Sequence, residues 1–460
     1  MKITFCGGAR SVTGSNYLLD TGDLKLLVDC GLNQGSKYAE DLNYKPFKYD
    51  PKDIKFVFVT HSHIDHIGRL PKLYKDGFRG KVYTTSATRD LMSVALPDNM
   101  KQIQNEAKNM GHDPLFSQED VDGLMSLVVG INYQEVVDLE EGAAEGESSL
   151  RAILHDAGHI LGSAIVEIQW RENGEFKKIY FSGDLGNPPT PLLRTTEPIH
   201  DADYVVMESA YGDRFHEDRP KRRERLVSII KETIKRGGVL MVPSFAVERT
   251  QELLFEINNL VAEKTIPQVP IFIDSPLAIK MTAVYKKHSE YFNKAAMYLI
   301  ESGDDIFNFP GLKLTPETEE SKAINDVPQP KIIIAGSGMS QGGRILHHEL
   351  RYLPDPNSTI LFVGYQVDGS LGRRIQKGDK EVTILGEKVA VNCHIENIPG
   401  YSAHADQRGL MKWISTDKKK PKKVFVVQGE DESARTLANL IHEILEFDAV
   451  APNEDESFEL

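Results

Sequence analysis

The sequence predicts an α/β protein with more than one domain, and three observations support this prediction. The chain has 460 residues, whereas single hydrophobic cores stop growing near about 250–300 residues. Hydrophobic residues make up 40% of the chain and charged residues 27%, which is typical of a soluble globular protein. Short apolar runs that end in polar loops alternate with amphipathic segments along much of the chain, as expected where strands alternate with helices.

The first half is predicted to begin with strands and tight turns. These strands are short β-branched or aromatic runs that end in Gly, Asp or polar residues: KITFCGG, NYLLD, LKLLVDCG and IKFVFVTH. A helix is expected at RLPKLYKDG, a strand at KVYTT, and helices over residues 85–125. Three further strands run directly into polar loops: LRAILHDAGH, KKIYFSGDLG and YVVMESAYGD.

The pattern changes near residue 212. RPKRRERLVSIIKETIKRGG is typical of an amphipathic helix that ends at glycine. Strand-to-loop segments follow at GGVLMVPSF, VPIFIDSPLA and KIIIAGSGMSQGG, so a parallel α/β unit is predicted between about residues 212 and 395. The last stretch indicates helix, strand and helix, and the acidic tail APNEDESFEL is expected to fray.

Composition restricts the compartment and the partners. Cys6, Cys30 and Cys393 form no close pair and no CxxC motif, which argues against disulfides and thiolate zinc sites and favours the reducing cytoplasm. No signal peptide and no membrane-spanning run is evident. The net charge of -14 argues against a broad basic surface for duplex DNA, although a local basic groove or a bound metal ion remains compatible with a nuclease.

The strongest functional signal is the heptapeptide THSHIDH at residues 60–66. It places four potential metal ligands directly after the apolar strand KFVFV: His61, His63, Asp65 and His66. Imidazole and carboxylate are the ligands that suit Zn²⁺. A single histidine is more often an ordinary surface or core residue, but the chain has only 14 histidines, and three of them here make that interpretation unattractive.

Two later loops can supply further ligands. His159 lies in DAGHILGSA and Asp184 in FSGDLG, each at a predicted strand end and next to a glycine that lets the backbone approach a metal ion. A carboxylate such as Asp184 can also bridge two ions. His155 is the weaker candidate and is interpreted as structural.

These motifs, in this order, resemble those of the metallo-β-lactamase superfamily. Asp29, in LLVDCG, resembles the first motif of that family, whose aspartate orients a ligand histidine. The resemblance extends to the β-CASP branch of RNA-processing nucleases, because Glu208 in VVMESAYGD looks like its motif A and His404 in GYSAHADQ like its motif B. It implies an αββα sandwich with an inserted α/β β-CASP domain: residues 1–211 and 396–460 form the sandwich and residues 212–395 the insertion.

One position departs from the branch. Its RNA-acting members usually carry a histidine at motif C, whereas KVFVVQGE places Gln428 there. A glutamine amide is a poor zinc ligand, so a second ion would keep only Asp65, His66 and the shared Asp184. Three interpretations stay open: a weak second site, one tightly held zinc ion, or a protein that has lost activity.

The resemblance implies a zinc-dependent ribonuclease. Binding to zinc lowers the pKa of water from 15.7 to about 7, so hydroxide is available at neutral pH to attack an RNA phosphodiester. Asp65 is expected to orient this hydroxide. His404 is expected to protonate the leaving oxygen, and Glu208 to orient the His404 ring. The alternative that His404 caps the following helix is less attractive, because Ser402 suits that task.

Several segments of the insertion are candidates for substrate contacts. GSGMSQGGR offers backbone N–H groups and one arginine, and VPSFAVERT is placed similarly; the residues concerned are Ser244, Arg249, Ser337, Gly338 and Arg344. The expected partner is single-stranded RNA, and a homodimer is conceivable. The alternatives are a hydrolase of small molecules on the same sandwich and a catalytically silent RNA-binding subunit.

Overall fold

The structure is a computed structural model that describes residues 1–35, 37–140, 148–216, 221–364, 366–367 and 369–460. These residues form two compact units. Unit 1 comprises Met1–Thr190, Arg194–Phe215 and His404–Leu460, and unit 2 comprises Pro191–Leu193 and His216–Ala403. The chain passes from unit 1 to unit 2 after Phe215 and returns after Ala403, a few residues after the predicted boundaries at 211 and 395. The later return is explained by the strand His394–Asn397, which pairs within the sheet of unit 2.

The first sheet of unit 1 has seven strands, which are numbered here in chain order. Its order across the sheet is β22 (Ser457–Glu459), β1 (Lys2–Gly7), β2 (Asn16–Asp20), β3 (Lys25–Val28), β4 (Ile54–Phe58), β5 (Lys81–Thr85) and β6 (Val128–Ile131). Pairing is antiparallel from β22 to β3 and parallel from β3 to β6. The expectation that the acidic tail frays is wrong, because β22 pairs with β1 and Phe458 packs against Phe5 and Phe425.

The second sheet of unit 1 also has seven strands. Its order is β21 (Ala449–Val450), β20 (Lys423–Val427), β11 (Tyr204–Glu208), β10 (Glu175–Phe181), β9 (Ala164–Glu172), β8 (Leu150–Asp156) and β7 (Val136–Asp138). Strands β10, β11, β20 and β21 are parallel neighbours, and the others pair antiparallel. The carboxyl ends of β10, β11 and β20 therefore meet at one edge.

Helices cover the outer faces of both sheets. The helices of unit 1 are α1 (Lys37–Leu42), α2 (Ile64–Ile67), α3 (Leu70–Lys75), α4 (Ser86–Met110), α5 (Gln118–Met125), α13 (Gln407–Ile414) and α14 (Asp431–Leu445). Helix α4 contacts β5 and β6, whereas Trp413 of α13 and Leu437 of α14 pack in a core with Val205 of the second sheet. A second core lies between the sheets and contains Leu19 and Phe181. This layering is the predicted αββα sandwich.

Unit 2 is an α/β unit with a six-stranded sheet. The strand order is β14 (Leu312–Leu314), β13 (Ile271–Asp274), β15 (Lys331–Ala335), β12 (Val239–Pro243), β16 (Thr359–Phe362) and β19 (His394–Asn397), and every pairing is parallel. The helices are α6 (Lys221–Arg236), α7 (Arg249–Ala262), α8 (Pro276–Lys287), α9 (Lys294–Glu301), α10 (Thr318–Ala323), α11 (Ile345–Tyr352) and α12 (Leu371–Gln376). A hairpin of β17 (Glu381–Ile384) and β18 (Glu387–Ala390) completes the unit.

The amphipathic helix predicted near residue 221 is confirmed as α6. Leu226, Ile229 and Ile230 are buried on one face, and Gly237, with φ of +74°, follows the helix as predicted. Among the described residues, no helix combines the length and the apolar character needed to cross a lipid bilayer. Short 3₁₀ helices occur at Pro51–Asp53, Ser289–Tyr291, Ile324–Asp326 and Pro399–Tyr401.

Candidate metal centre

The candidate site lies where strand ends of the two sheets of unit 1 approach each other. Asp184, Glu208 and Gln428 follow or end β10, β11 and β20, whose carboxyl ends share an edge. The loop after β4 approaches them through Thr60. Gly183 permits this approach, because its φ is +53° and a Cβ there would lie 2.7 Å from Thr60. A glycine is thus required directly before Asp184.

Four of the predicted ligands converge on one point: His61, His63, His159 and Asp184 each offer one donor atom, and all four atoms lie within 4.8 Å of one another. His63 Nδ1 is 3.0 Å from His61 Nε2 and 3.3 Å from His159 Nε2. Asp184 Oδ2 is 3.3 Å from His61 Nε2 and 3.5 Å from His159 Nε2. Tetrahedral zinc, with bonds of about 2.0–2.1 Å, requires donors about 3.3–3.4 Å apart. The group therefore has the size and chemistry of one zinc site.

Ring nitrogens of these three imidazoles face one another, at 3.0 and 3.3 Å. Thr60 Oγ1 donates to Asp29 Oδ2 at 2.8 Å and lies 3.1 Å from His61 Nδ1. His61 Nδ1–H can therefore donate to Thr60, which leaves the Nε2 lone pair of His61 for a ligand. Burial lowers the pKa of His61, His63 and His159, and neighbouring imidazoles lower it further. The neutral ring that results is the form that binds a metal ion.

His66 and Asp65 lie beside this group rather than within it. His66 Nδ1 is 2.7 Å from Asp29 Oδ2, and His66 Nε2 is 2.8 Å from the side-chain nitrogen of Gln428. Asp65 Oδ2 is 3.9 Å from His66 Nε2. Asp29 thus contacts a histidine of the motif, as expected of a residue that orients a ligand. Neither Asp65 nor His66 belongs to the converging donor group among the described residues.

His404 and Glu208 form a pair next to the four donors. His404 Nδ1 is 3.2 Å from Glu208 Oε2 and 3.8 Å from Asp184 Oδ2. Burial opposes protonation of His404, but Glu208 and Asp184 outweigh it and raise the pKa to about 9. The helix-capping alternatives are both wrong, because Asp406 accepts from Gly409 N and caps α13.

His155 lies outside the donor group and is held by other partners. His155 Nε2 is 2.6 Å from Glu167 Oε2, and Nδ1 is 3.5 Å from Glu197 Oε2. Burial lowers the pKa of His155, yet the two carboxylates raise it to about 9. The contacts are those of a buried ion pair.

The arginine and serine side chains predicted to contact substrate in unit 2 have partners within the unit. Arg344 donates to Asp274 Oδ1 at 2.9 Å and to two backbone carbonyl groups. Arg249 pairs with Glu252 at 3.0 Å, and the hydroxyl of Ser244 lies 3.0 Å from that of Thr250. These contacts hold Arg344 and Arg249 within the unit, and a contact of either arginine with RNA stays a prediction.

The remaining two candidates lie in the glycine-rich loop that follows β15. The hydroxyl of Ser337 accepts from Gln341 N, and Gly338 packs against the ring of Phe245, where a Cβ would lie 2.7 Å from the ring. Sequence reasoning missed Asp274, which ends β13 and is fully buried. The signal was its position in FIDSP, at a strand end like that of Asp184.

Known proteins are similar to this chain along nearly its whole length. Family models described as the metallo-beta-lactamase superfamily, the Beta-Casp domain and the Zn-dependent metallo-hydrolase RNA specificity domain match residues 10–211, 250–375 and 388–452. Ribonuclease TTHA0252 of Thermus thermophilus is 37% identical over 441 residues, which cover 96% of each chain. Transcription termination factor FttA of Methanosarcina mazei is 32% identical, covering 98% of this chain and 70% of that protein.

A solved structure supports the fold. The crystal structure of a protein of unknown function from Enterococcus faecalis superimposes with a TM-score of 0.56 and 13% identity, and the match covers 100% of this chain and 99% of that one. The family models and the two sequence relatives establish the family. The chain belongs to the β-CASP branch of the metallo-β-lactamase superfamily, a family of metal-dependent hydrolases.

Proposed function

We propose that this chain is a zinc-dependent ribonuclease that hydrolyses phosphodiester bonds of single-stranded RNA. The observation that carries the proposal is the four-donor group of His61, His63, His159 and Asp184, with the His404–Glu208 pair beside it. The printed names of the relatives, a ribonuclease and a transcription termination factor, support RNA as the substrate. So does the RNA specificity description of the family model that covers residues 388–452.

The donor set suits zinc because it consists of three neutral imidazoles and one carboxylate, with four of the donor separations between 3.0 and 3.5 Å. An ion bound there would supply Lewis acidity toward water and toward the phosphate oxygens. Asp184 contributes the negative charge of the group, and neighbouring imidazoles hold its pKa well below the usual value although burial acts in the opposite direction.

His404 is assigned the proton transfer to the leaving oxygen. Its ring centroid lies 4.6 Å from that of His159, so it borders the donor group. Glu208 fixes the ring through Nδ1, and its other oxygen accepts Leu185 N–H at 2.6 Å. Because Leu185 follows Asp184 directly, Glu208 ties the position of His404 to the loop that carries a metal ligand. About a quarter of the His404 side chain, 26%, is exposed and can be reached by substrate.

The cleavage assay uses 5′-labelled single-stranded RNA, duplex RNA and single-stranded DNA of the same sequence. We expect wild-type protein to cleave the single-stranded RNA, and His63→Ala and His404→Ala to abolish cleavage without unfolding the protein. His442→Ala, which replaces an exposed histidine of α14, is the matched control and should retain activity. Full activity in either site variant would refute the assigned roles.

Metal analysis separates the ribonuclease from a silent RNA-binding subunit. The proposal expects zinc in purified wild-type protein and its loss in His63→Ala. Protein that binds the same RNA tightly, holds no zinc and cleaves nothing would instead be a binding subunit.

The three cysteines, all free, support the further proposal of a cytoplasmic location. The mass of the protein in solution tests the proposed homodimer.

A further inference from the structure

The side-chain amide of Gln428 lies between two potential ligands. Gln428 is buried, with 3% of its surface exposed, and follows β20. Its nitrogen Nε2 lies 2.8 Å from His66 Nε2 and 3.0 Å from Asp184 Oδ1. One NH₂ group therefore has an acceptor for each of its two hydrogens.

The backbone holds the Gln428 side chain in this position. Gln428 has φ of +50°, and its backbone N–H donates to Gly8 O at 2.7 Å. The next residue, Gly429, leaves no room for a side chain, because a Cβ there would lie 2.3 Å from the hydroxyl of Ser209. The loop after β20 is thus fixed on both sides of the amide.

Gln428 lies at the ring nitrogen that His66 would use to bind a metal ion. His66 Nδ1 is 2.7 Å from Asp29 Oδ2, so Nε2 is the nitrogen left for a ligand. The Gln428 amide lies 2.8 Å from that nitrogen. Turning the amide around would place its oxygen 3.0 Å from the Asp184 carboxylate, where two acceptors repel each other.

The two oxygens of Asp184 are consequently used in different ways. Oδ1 accepts from Gln428, whereas Oδ2 faces His61 and His159 in the four-donor group. The converging donors among the described residues include neither His66 nor Asp65. A second possible group, Asp184, Glu208 and His404, shares Asp184 with the first, and its other two members bond each other. Beside His66, which lies 3.4 Å from Asp184 Oδ1, the chain carries the Gln428 amide in place of a further ligand.

We propose that this centre holds a single metal ion and that the Gln428 amide occupies the place a second ion would need, bridging His66 to Asp184. Gln428 is then a positioning residue, because it orients the carboxylate whose other oxygen binds the ion. The inference rests on the proposed metal-dependent function and concerns the number of ions at that same site.

The test counts zinc ions per chain by elemental mass spectrometry after dialysis against buffered free zinc. We expect one zinc ion per chain in the wild type and two in Gln428→His, where an imidazole replaces the bridging amide and supplies another ligand. Gln341→His, at an exposed glutamine of unit 2, is the matched control and should stay at one. Gln428→Ala, which frees His66 without adding a ligand, should bind a second ion only at higher zinc concentration.

The outcomes are distinguishable. Two zinc ions per chain in the wild type would overturn the single-ion inference and leave the proposed ribonuclease function standing. One ion in a folded Gln428→His variant, checked by its circular dichroism spectrum, would show that the amide is not what excludes the second ion. A wild type that binds no zinc would overturn the proposed function together with this inference.

Discussion

Each unit carries a cluster of polar side chains at strand ends, and the two clusters differ in what their atoms contact. In unit 1 the nitrogens of His61, His63 and His159 face one another and Asp184. In unit 2, Asp274 accepts from Thr315 and Arg344 through Oδ1, and from Ser321 and His348 through Oδ2.

This difference explains why one cluster is a ligand site and the other is structural. Burial raises the pKa of Asp274, but hydrogen bonds from four side chains outweigh it and lower the pKa to about 2. A carboxylate so completely satisfied gains nothing from a ligand. The ring nitrogens of the three neutral imidazoles that face one another are not satisfied by hydrogen-bond donors in this way, and a bound cation would stabilise them.

The largest expected effect on stability comes from breaking the unit 2 cluster. Asp274→Ala leaves Arg344 and His348 without their buried partner, which typically costs about 3–5 kcal/mol. We expect this loss in urea denaturation followed by circular dichroism, with zinc content unchanged. Asp305→Ala, which removes the exposed partner of Lys286, should cost at most about 1 kcal/mol. Loss of zinc in folded Asp274→Ala would contradict the structural role.

A smaller effect is expected from the hydroxyl that orients His61. Thr60→Val keeps the volume but removes the link between Asp29 and His61 Nδ1, and loss of such an orienting contact typically weakens metal binding by about 10–100-fold. Competition with a zinc chelator of known affinity measures the change. Thr84→Val, which removes a buried hydroxyl bonded to Val59 O, is the control. Equal zinc affinity in both variants would show that Thr60 does not orient the ligand.

The smallest expected effect on stability concerns His155, which pairs with Glu167 and Glu197. The folded protein raises the pKa of His155 from its ordinary value of 6.5 to about 9. The ion pair therefore contributes its full stability below pH 6.5 and loses it as the pH rises through 9. Glu167→Gln should lower the melting temperature most at pH 6.5, and the gap to wild type should close above pH 9. A gap that is independent of pH would contradict this assignment.

Much of the fold and of the site follows from the sequence alone. Strands that are parallel neighbours must bring their carboxyl ends together, so strand-end residues such as Asp184 and Glu208 are predicted to meet. Three histidines within the six residues 61–66 are by themselves enough to indicate a metal site. The order of these motifs predicts the αββα sandwich and its insertion.

What the sequence could not supply was the partner of each polar side chain. Arg344 looks like a phosphate ligand in GSGMSQGGR, but Asp274, 70 positions earlier, already binds it. Gln428 was recognisable as a poor zinc ligand, whereas its bridge from His66 to Asp184 depends on how three separate strands pack. The acidic tail was expected to fray because its many charges outweigh a few apolar residues in the sequence, whereas Phe458 and Leu460 pack against the core between the sheets.

X-ray absorption at the zinc edge of the loaded protein shows whether His61, His63, His159 and Asp184 hold the ion. We expect three imidazole nitrogens and oxygen at about 2.0–2.1 Å. Sulfur at about 2.3 Å, or the same spectrum from the His63→Ala variant, would place the ion elsewhere and refute this ligand set.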